Sequence, residues 1–376
     1  MSDNARPAEV FPPGEFLKKE LASRGWSQVE LSEILGRPPR VVSEIMTAKR
    51  AITPETAKGL AAAFGTSAEL WMNLESRYQL FRTAFEEKTV TRRARLYAKF
   101  PVKEMMRRGW VASTKDFDKL ERSFCAFFSI SKVDELPAFA HSAKKHSYSD
   151  PPAISQLAWL TRAEQIAKGL KVGIFSNLAL RNAIEQLRSC LRTVDDVSRV
   201  PPILAAAGVR FVIVKFLPSA KLDGACFWME KGCSPVVAMS LRLDRLDNFW
   251  HTLFHELDHI LNGDGKQMPM IDLVEIGEKS EANIQREETR ANQSAADYCI
   301  NREAFEKWMV SIAPVFSRRE IVSFAEAMHV HPAIVLGQLQ HRGLVKYSFH
   351  RDLLEPVRPV LIDTIATDGF ENSGGT

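Results

Sequence analysis

The chain has 376 residues, 45% hydrophobic and 26% charged, a composition typical of a globular protein with two or three domains. Its net charge of +4 argues against a general polycation but permits a local basic surface. Five scattered cysteines without a CxxC pair argue against a disulfide framework and favour a reducing, cytoplasmic compartment. No apolar segment is long enough to cross a bilayer, so we expect no membrane association.

The first eighty residues divide into five short helical patterns. Ser27 begins a capping box, and Pro38 with the proline after it favours the start of a third helix. Two short helices joined by a turn at Gly36 match a helix-turn-helix. We therefore predict a five-helix DNA-binding bundle over residues 13–80, after a flexible tail at residues 1–12.

The third predicted helix and its flanking loops carry the candidate DNA contacts. Residues 37–50 hold four basic side chains and one acid, whereas residues 1–80 are neutral as a whole. This pattern is typical of a narrow DNA-facing edge, with Arg40 and Glu44 reaching base edges and other side chains holding phosphates. The predicted DNA-contacting residues are Gln28, Arg37, Arg40, Ser43, Glu44, Lys49 and Arg50. A helical bundle used for protein contacts is the alternative.

This N-terminal segment resembles the Xre-type helix-turn-helix of HigA-like antitoxins. The resemblance covers about residues 12–80 and includes the Pro-Gly-Glu opening, Ser27, Gly36 and the closing helix at residues 67–78. It implies a repressor that binds a double-stranded DNA operator as a homodimer. The family usually has small polar residues where this chain has its two consecutive prolines.

Residues 81–200 are predicted to form a helical, basic middle region. Between residues 81 and 132 there are 13 Lys and Arg against 6 Asp and Glu. Such a run is usually a solvated helix face; the alternative is a surface that faces phosphates or a partner. Two helices, Ile154–Leu170 and Asn177–Leu191, are predicted to follow, and no chemistry is indicated there.

The C-terminal half begins with three predicted strands and an apolar helix. The strands are Val209–Val214, Ala225–Met229 and Val236–Ser240, and a hairpin joins the last two. We predict a mostly α chain with an α+β C-terminal part, in which a small antiparallel or mixed sheet belongs to a zincin-like domain. An edge strand of such a sheet can bind a peptide backbone. The predicted boundaries are 201–310 for this domain, 311–355 for a helical segment and 356–376 for a tail.

The apolar helix contains an HExxH sequence from His255 to His259. Residues four apart share one face of a helix, so the two imidazoles can bind one metal ion, while Glu256 can hold a metal-bound water. A second helix at about residues 285–301 offers Glu287 and Glu288. Two histidines and one carboxylate leave an open position, which is the ligand set of a catalytic zinc site. The alternative is a buried helix whose histidines bind no metal.

Residues 201–345 resemble the ImmA/IrrE family of metallo-endopeptidases. The similarity is carried by HTLFHELDHIL around His255 and by ETRAN beginning at Glu288. The resemblance implies that Glu288, rather than Glu287, is the third ligand, with Zn²⁺ or alternatively Mn²⁺ as the cofactor. Asp258 is a departure, because the family mostly has a small residue such as glycine there.

The expected activity is that of a gluzincin-like metallo-endopeptidase. The metal ion polarises the scissile carbonyl, and Glu256 takes a proton from water and delivers it to the leaving amine. Tyr298 and His251 are candidates for stabilising the transition state, and Asp258 for supporting the metal ligands from behind.

The two resemblances together predict a DNA-binding regulator that carries a zinc-dependent endopeptidase. Peptidases of this family cleave Xre-type repressors, so the expected protein substrate is a partner repressor, a toxin or this chain's own N-terminal domain. The alternative is a non-enzymatic, HigA-like antitoxin whose C-terminal domain is a sensor or a toxin-binding module.

Overall fold

The computed structural model divides the chain into two compact units, with the boundary between Thr91 and Arg92. It describes residues 10–83, 87–135, 137, 153–218, 220–266, 269–273, 282–362 and 364–370. Residues 1–9 of the predicted tail at residues 1–12 therefore lie outside the described residues.

The first unit is built from five helices. They are α1 Pro13–Arg24, α2 Gln28–Ile34, α3 Pro39–Met46, α4 Pro54–Phe64 and α5 Ala68–Arg82. The Glu30 N–H donates to Ser27 Oγ, and the Ser27 N–H donates to the Glu30 carboxylate, so the predicted capping box begins α2. Leu17, Leu31 and Trp71 are buried in the core that the helices share. The predicted five-helix bundle is confirmed.

The second unit combines helices with a five-stranded sheet, and α6, Glu87–Lys99, leads into it. The helices before the sheet are α7 Val102–Arg107, α8 Phe117–Phe128, α9 Ile154–Lys168, α10 Asn177–Arg188 and α11 Val200–Ala206. The later helices are α12 Leu246–Asn262, α13 Ala282–Cys299, α14 Arg302–Ile312, α15 Arg318–Ala327, α16 Pro332–His341 and α17 Arg358–Leu361. Within the described ranges, no helix is long and apolar enough to cross a membrane.

The sheet is mixed, which is one of the two predicted arrangements, and has the strand order β4-β2-β3-β1-β5. Its strands are β1 Arg210–Val214, β2 Leu222–Met229, β3 Ser234–Met239, β4 Met270–Leu273 and β5 Thr367–Asp368. Strands β2 and β3 form the predicted hairpin, β1 runs parallel to β3, and β4 pairs antiparallel with β2. The first three strands match the predicted ones within three residues at each end, whereas β4 and β5 were not predicted.

Both faces of the sheet are buried, which makes the predicted boundary at residues 200 and 201 wrong. On β1, Val212 packs with Leu96 and Trp159 in a core formed by the helices before the sheet. Phe211, on the other face, packs with Leu253 and the later helices. Because successive strand residues point to opposite faces, a sheet that is apolar on both faces needs helices packed against each face. The described parts of residues 92–200 therefore belong to the same unit as the sheet.

The C-terminal prediction is also corrected. The predicted tail at residues 356–376 contains α17 and β5, and β5 pairs in parallel with β1. Trp110 Nε1 donates to Asp368 Oδ1 at 2.9 Å, and Arg162 Nε donates to Asp368 Oδ2 at 2.6 Å. A two-residue strand has no recognisable pattern, so only these tertiary contacts define it. Residues 371–376 lie outside the described part.

Candidate metal centre and nucleic-acid interface

Helices α12 and α13 bring the three predicted metal ligands together. His255 Nε2 and His259 Nε2 are 3.1 Å apart. The Glu288 carboxylate places one oxygen 3.2 Å from His255 Nε2 and the other 3.6 Å from His259 Nε2. Tetrahedral zinc, with ligands at about 2.0–2.1 Å, separates its ligand atoms by about 3.3 Å. The donor set therefore has the spacing and the chemistry to hold one such ion.

The sequence explains why these two helices lie so close. On α13, Ala291 and Ala295 are fully buried, and their small side chains allow the backbones of α12 and α13 to approach. On α12, Leu253 and Leu257 are fully buried in the surrounding core. Rigid packing on both helices fixes the ligand-bearing faces toward each other. The helix α13 begins at Ala282, about three residues before its predicted start.

The second nitrogen of each histidine is also held. Asn292 Oδ1 accepts hydrogen bonds from His255 Nδ1 at 3.1 Å and from His251 Nε2 at 3.2 Å. His259 Nδ1 donates to Asp264 Oδ2 at 3.0 Å. These partners fix the imidazole tautomers and direct both Nε2 atoms toward Glu288. The sequence did not lead us to predict either hydrogen-bonding role. For Asn292 the signal was its position one helical turn after Glu288, which places both residues on the same face of α13.

Asp258 is paired with a cation and not isolated in the core. Its side chain is buried, and Arg290 Nε donates to its Oδ2 at 2.8 Å. The same guanidinium donates from Nη2 to Asp264. Arg290 therefore connects Asp258 to the carboxylate that orients His259.

Glu256 is fully buried and lies against strand β2. A Cβ atom added at Gly224 would lie 2.6 Å from Glu256 Oε1 and 2.8 Å from Thr252 Cγ2, so only glycine leaves room for this carboxylate. Burial raises the pKa of the Cys226 thiol well above its ordinary value, and the neighbouring Glu256 carboxylate raises it further. Cys226 thus remains protonated beside this carboxylate.

The surroundings of His259 favour a positive charge on its ring, which lies between the carboxylates of Asp264 and Glu288. Burial opposes the charged form of His259, but hydrogen bonds to Asp264 and Glu288 outweigh it and raise its pKa to about 10. Burial likewise opposes ionisation of Glu288, yet the two ligand histidines lower its pKa to about 2. A divalent cation bound here would supply the positive charge that this arrangement otherwise takes from a proton.

The two other predicted side chains lie on different sides of the cluster. Burial and the neighbouring His255 lower the pKa of His251 to about 4, and its ring centroid is 6.1 Å from that of His341. His251 lines a cavity of about 150 Å³ that also touches Asn292. The ring of Tyr298 lies against Phe254 at 5.5 Å. His251 is therefore connected to the ligands through Asn292, whereas Tyr298 packs beside α12.

In the first unit, the predicted DNA-contacting residues lie on α2, α3 and the adjoining turns. The structure pairs several of them with each other. Arg40 Nε and Arg50 Nε donate to the two oxygens of Glu44 at 2.7 and 2.8 Å, and these hydrogen bonds lower the pKa of Glu44. Arg37 forms an ion pair of 3.0 Å with Glu55. Gln28, Arg40, Ser43, Lys49 and Arg50 are exposed.

The five-helix bundle with its exposed α3 edge defines a DNA-binding helix-turn-helix, and comparison with known proteins agrees. The family described as helix-turn-helix matches residues 17–71. Over 78 residues the chain is 33% identical to the uncharacterized HTH-type transcriptional regulator YddM of Escherichia coli (strain K12), covering 21% of this chain and 80% of that protein. The chain therefore belongs to the helix-turn-helix family.

Two further relatives match the same fifth of the chain. The virulence-associated protein I of Dichelobacter nodosus is 38% identical over 78 residues, covering 20% of this chain and 70% of that protein. Among solved structures, an addiction module antidote protein of the HigA family from Coxiella burnetii has 37% identity, covering 19% of this chain and 79% of that chain, with a TM-score of 0.19.

Proposed function

We propose that this DNA-binding chain is a transcriptional regulator whose second unit is a zincin-like, metal-dependent endopeptidase. The main support for peptidase activity is the spacing of the candidate metal ligands. His255 Nε2, His259 Nε2 and the Glu288 oxygens lie 3.1–3.6 Å apart. Two histidines and one carboxylate with this spacing match the ligands of catalytic zinc sites. The regulator part is supported by family membership and by the name of the relative YddM.

The residues around the ligands suit peptide hydrolysis. A bound Zn²⁺ or Mn²⁺ ion would polarise the scissile carbonyl and make water more acidic. Glu256 accepts the proton of the attacking water on its carboxylate and passes it to the leaving amine. The absence of a side chain at Gly224 leaves room for that carboxylate beside strand β2. Asn292 and Asp264 keep the two imidazoles oriented for metal binding.

The substrate class is a peptide or protein bound in extended form. Strand β4 lies at one edge of the sheet, beside β2, and an edge strand can pair with a peptide backbone. The candidate substrates are a partner Xre-type repressor, a toxin, or the first unit of a second copy of this chain. The resemblance of residues 201–345 to ImmA/IrrE peptidases supports this class.

A metal-loaded cleavage assay tests the proposal. Glu256→Gln preserves size and leaves the ligands intact, so it should bind the metal as wild type does and lose proteolysis. Wild-type protein, loaded with Zn²⁺ or Mn²⁺, is incubated with the neighbouring gene's product and with the separately labelled chain, and fragments are identified by mass spectrometry. Equal cleavage by wild type and by Glu256→Gln would sink the proposed mechanism.

A second candidate function is supported by the burial of the cluster. The exposed fractions of His255, His259 and Glu288 are 1%, 0% and 5%. A site so enclosed also suits a metal sensor within a homodimeric, antitoxin-like repressor that binds an operator without cleaving protein. In that case metal would change operator affinity while no fragment formed, and Glu256→Gln would leave the metal effect on DNA binding unchanged.

A further inference from the structure

A pocket of about 350 Å³ in the second unit is lined by basic side chains of the middle region. It lies between α6, α8 and the turn that follows α8. We propose that this pocket is a binding site for a phosphate group. Four cations and two acids line it, namely Arg92, Arg95, Arg122, Lys132, Glu121 and Asp134.

The charges of the pocket are not balanced. Arg92 is neutralised by ion pairs with Asp118 at 2.9 Å and with Glu121. Asp134 acts electrostatically on Lys99, which stands outside the pocket lining. Within the part of the chain that the structure describes, Arg95, Arg122 and Lys132 have no ion-pair partner, and all three are exposed.

Three unpaired cations around one concavity repel each other, and a bound anion relieves that repulsion. The pocket lining offers two guanidinium groups and one ammonium beside the Ser131 hydroxyl. Guanidinium forks match phosphate oxygens, and three cations suit a phosphate dianion better than a single carboxylate. The described lining contains no aromatic ring on which a base can stack, so the phosphate, and not a base, is the recognised group.

The remaining reactive group of the pocket does not suggest a different ligand. Burial raises the pKa of the Cys125 thiol, and the nearby Glu121 carboxylate raises it further. The thiol therefore stays protonated at neutral pH and is a poor metal ligand. Two kinds of ligand carry a phosphate group that this pocket could bind, namely a small phosphorylated molecule and the backbone of duplex DNA.

The experiment compares two triple variants of the full chain that lose the same charge. The pocket variant carries Arg95→Gln, Arg122→Gln and Lys132→Gln. The control carries Lys103→Gln, Lys115→Gln and Lys119→Gln, three exposed lysines of the same segment outside the pocket lining. Binding of inorganic phosphate and of ATP is measured by calorimetry, and binding of a fluorescent duplex is measured by anisotropy over a range of salt concentrations.

If the pocket binds a small phosphorylated molecule, the affinity for phosphate or ATP should fall about tenfold or more in the pocket variant and less than about twofold in the control. If the pocket binds the DNA backbone, the slope of log affinity for the duplex against log salt concentration should become shallower by about 2 to 3 in the pocket variant only. Either result supports the pocket and identifies its source. Equal behaviour of the two triple variants with all three probes would overturn the proposal, whatever the metal centre does.

Discussion

The His259 imidazole is held from behind by Asp264, whose Oδ2 accepts from Nδ1 at 3.0 Å. Asp264 follows Gly263, which ends α12 in a left-handed conformation with φ of 77°. The turn therefore folds the carboxylate back onto His259, the second proposed metal ligand of the helix. Because Arg290 also binds Asp264, the carboxylate is fixed between a cation and the imidazole.

Removing this carboxylate should weaken metal binding. We expect Asp264→Ala to lower the affinity for Zn²⁺ by about 10- to 100-fold, because the imidazole loses the partner that orients it and increases its basicity. Competition with a chromophoric chelator measures the dissociation constant. Asp297→Ala is the matched control, since Asp297 lies on α13 but pairs with Arg302. Equal zinc affinity of the two variants would show that Asp264 does not support the ligand.

Gly224 should be required for the position of Glu256. In Gly224→Ala the new methyl group would meet Glu256 Oε1 at 2.6 Å, so the carboxylate must move or the strand must shift. We expect loss of proteolysis with metal binding kept, and a loss of stability of about 1–3 kcal/mol from overpacking. Cleavage, zinc content and urea denaturation are measured together.

The control for this substitution is Gly169→Ala. Its added Cβ would lie 3.4 Å from the Ile166 carbonyl oxygen, and its φ of −82° is open to any residue. It should therefore leave cleavage unchanged. A Gly224→Ala protein with full cleavage activity would mean that Glu256 does not need its present position.

The approach of the two histidines was predictable because it depends on local helical geometry. The four-residue spacing of His255 and His259 places them on one face whatever the rest of the fold does. Glu288 could be named only through the family resemblance, since Glu287 was equally available by spacing. Asp264 could not be predicted, because it lies in a turn whose shape depends on Gly263 and on contacts with Arg290 from another helix.

The organisation of the second unit was harder to predict for the same reason. The β1, β2 and β3 strands have dense apolar patterns and were found within three residues of their ends. The pairing of β5 with β1 joins Ile213 to Thr367 across more than 150 residues, and no local pattern indicates it. The apolar residues Phe211 and Val212, which point to opposite faces of β1, could have indicated that helices cover both sides of the sheet.

Glu44 should restrain the DNA-binding edge of the first unit. Its carboxylate occupies Arg40 and Arg50, so Glu44→Gln releases two cations for phosphate contacts. We expect tighter binding of unrelated duplex and a salt slope that is steeper by about 1 to 2. Anisotropy at several salt concentrations provides both values. Glu69→Gln, an exposed position on α5, is the control, and an identical effect there would assign the change to net charge alone.

Glu104 should make the second unit sensitive to acid. A hydrogen bond from Arg107 lowers its pKa to about 2, burial opposes this shift, and Arg108 adds to the lowering. Because the folded value lies below the ordinary 4.5, the carboxylate stabilises the fold above pH 4.5. That contribution is lost as the pH falls from about 4.5 toward 2.

Glu104→Gln should therefore be less stable than wild type at pH 7, and the difference should shrink at pH 3. Urea denaturation at both pH values measures the free energy of unfolding. Glu303→Gln removes an ion pair with Lys307 in which both side chains are more than 70% exposed, and it should have little effect at either pH. Arg108 is 3% exposed and also donates to the carbonyls of Lys215 and Phe216, just after β1. Loss of the Glu104 carboxylate therefore leaves this buried guanidinium without its ion-pair partner. A constant difference between wild type and Glu104→Gln from pH 7 to pH 3 would contradict this assignment.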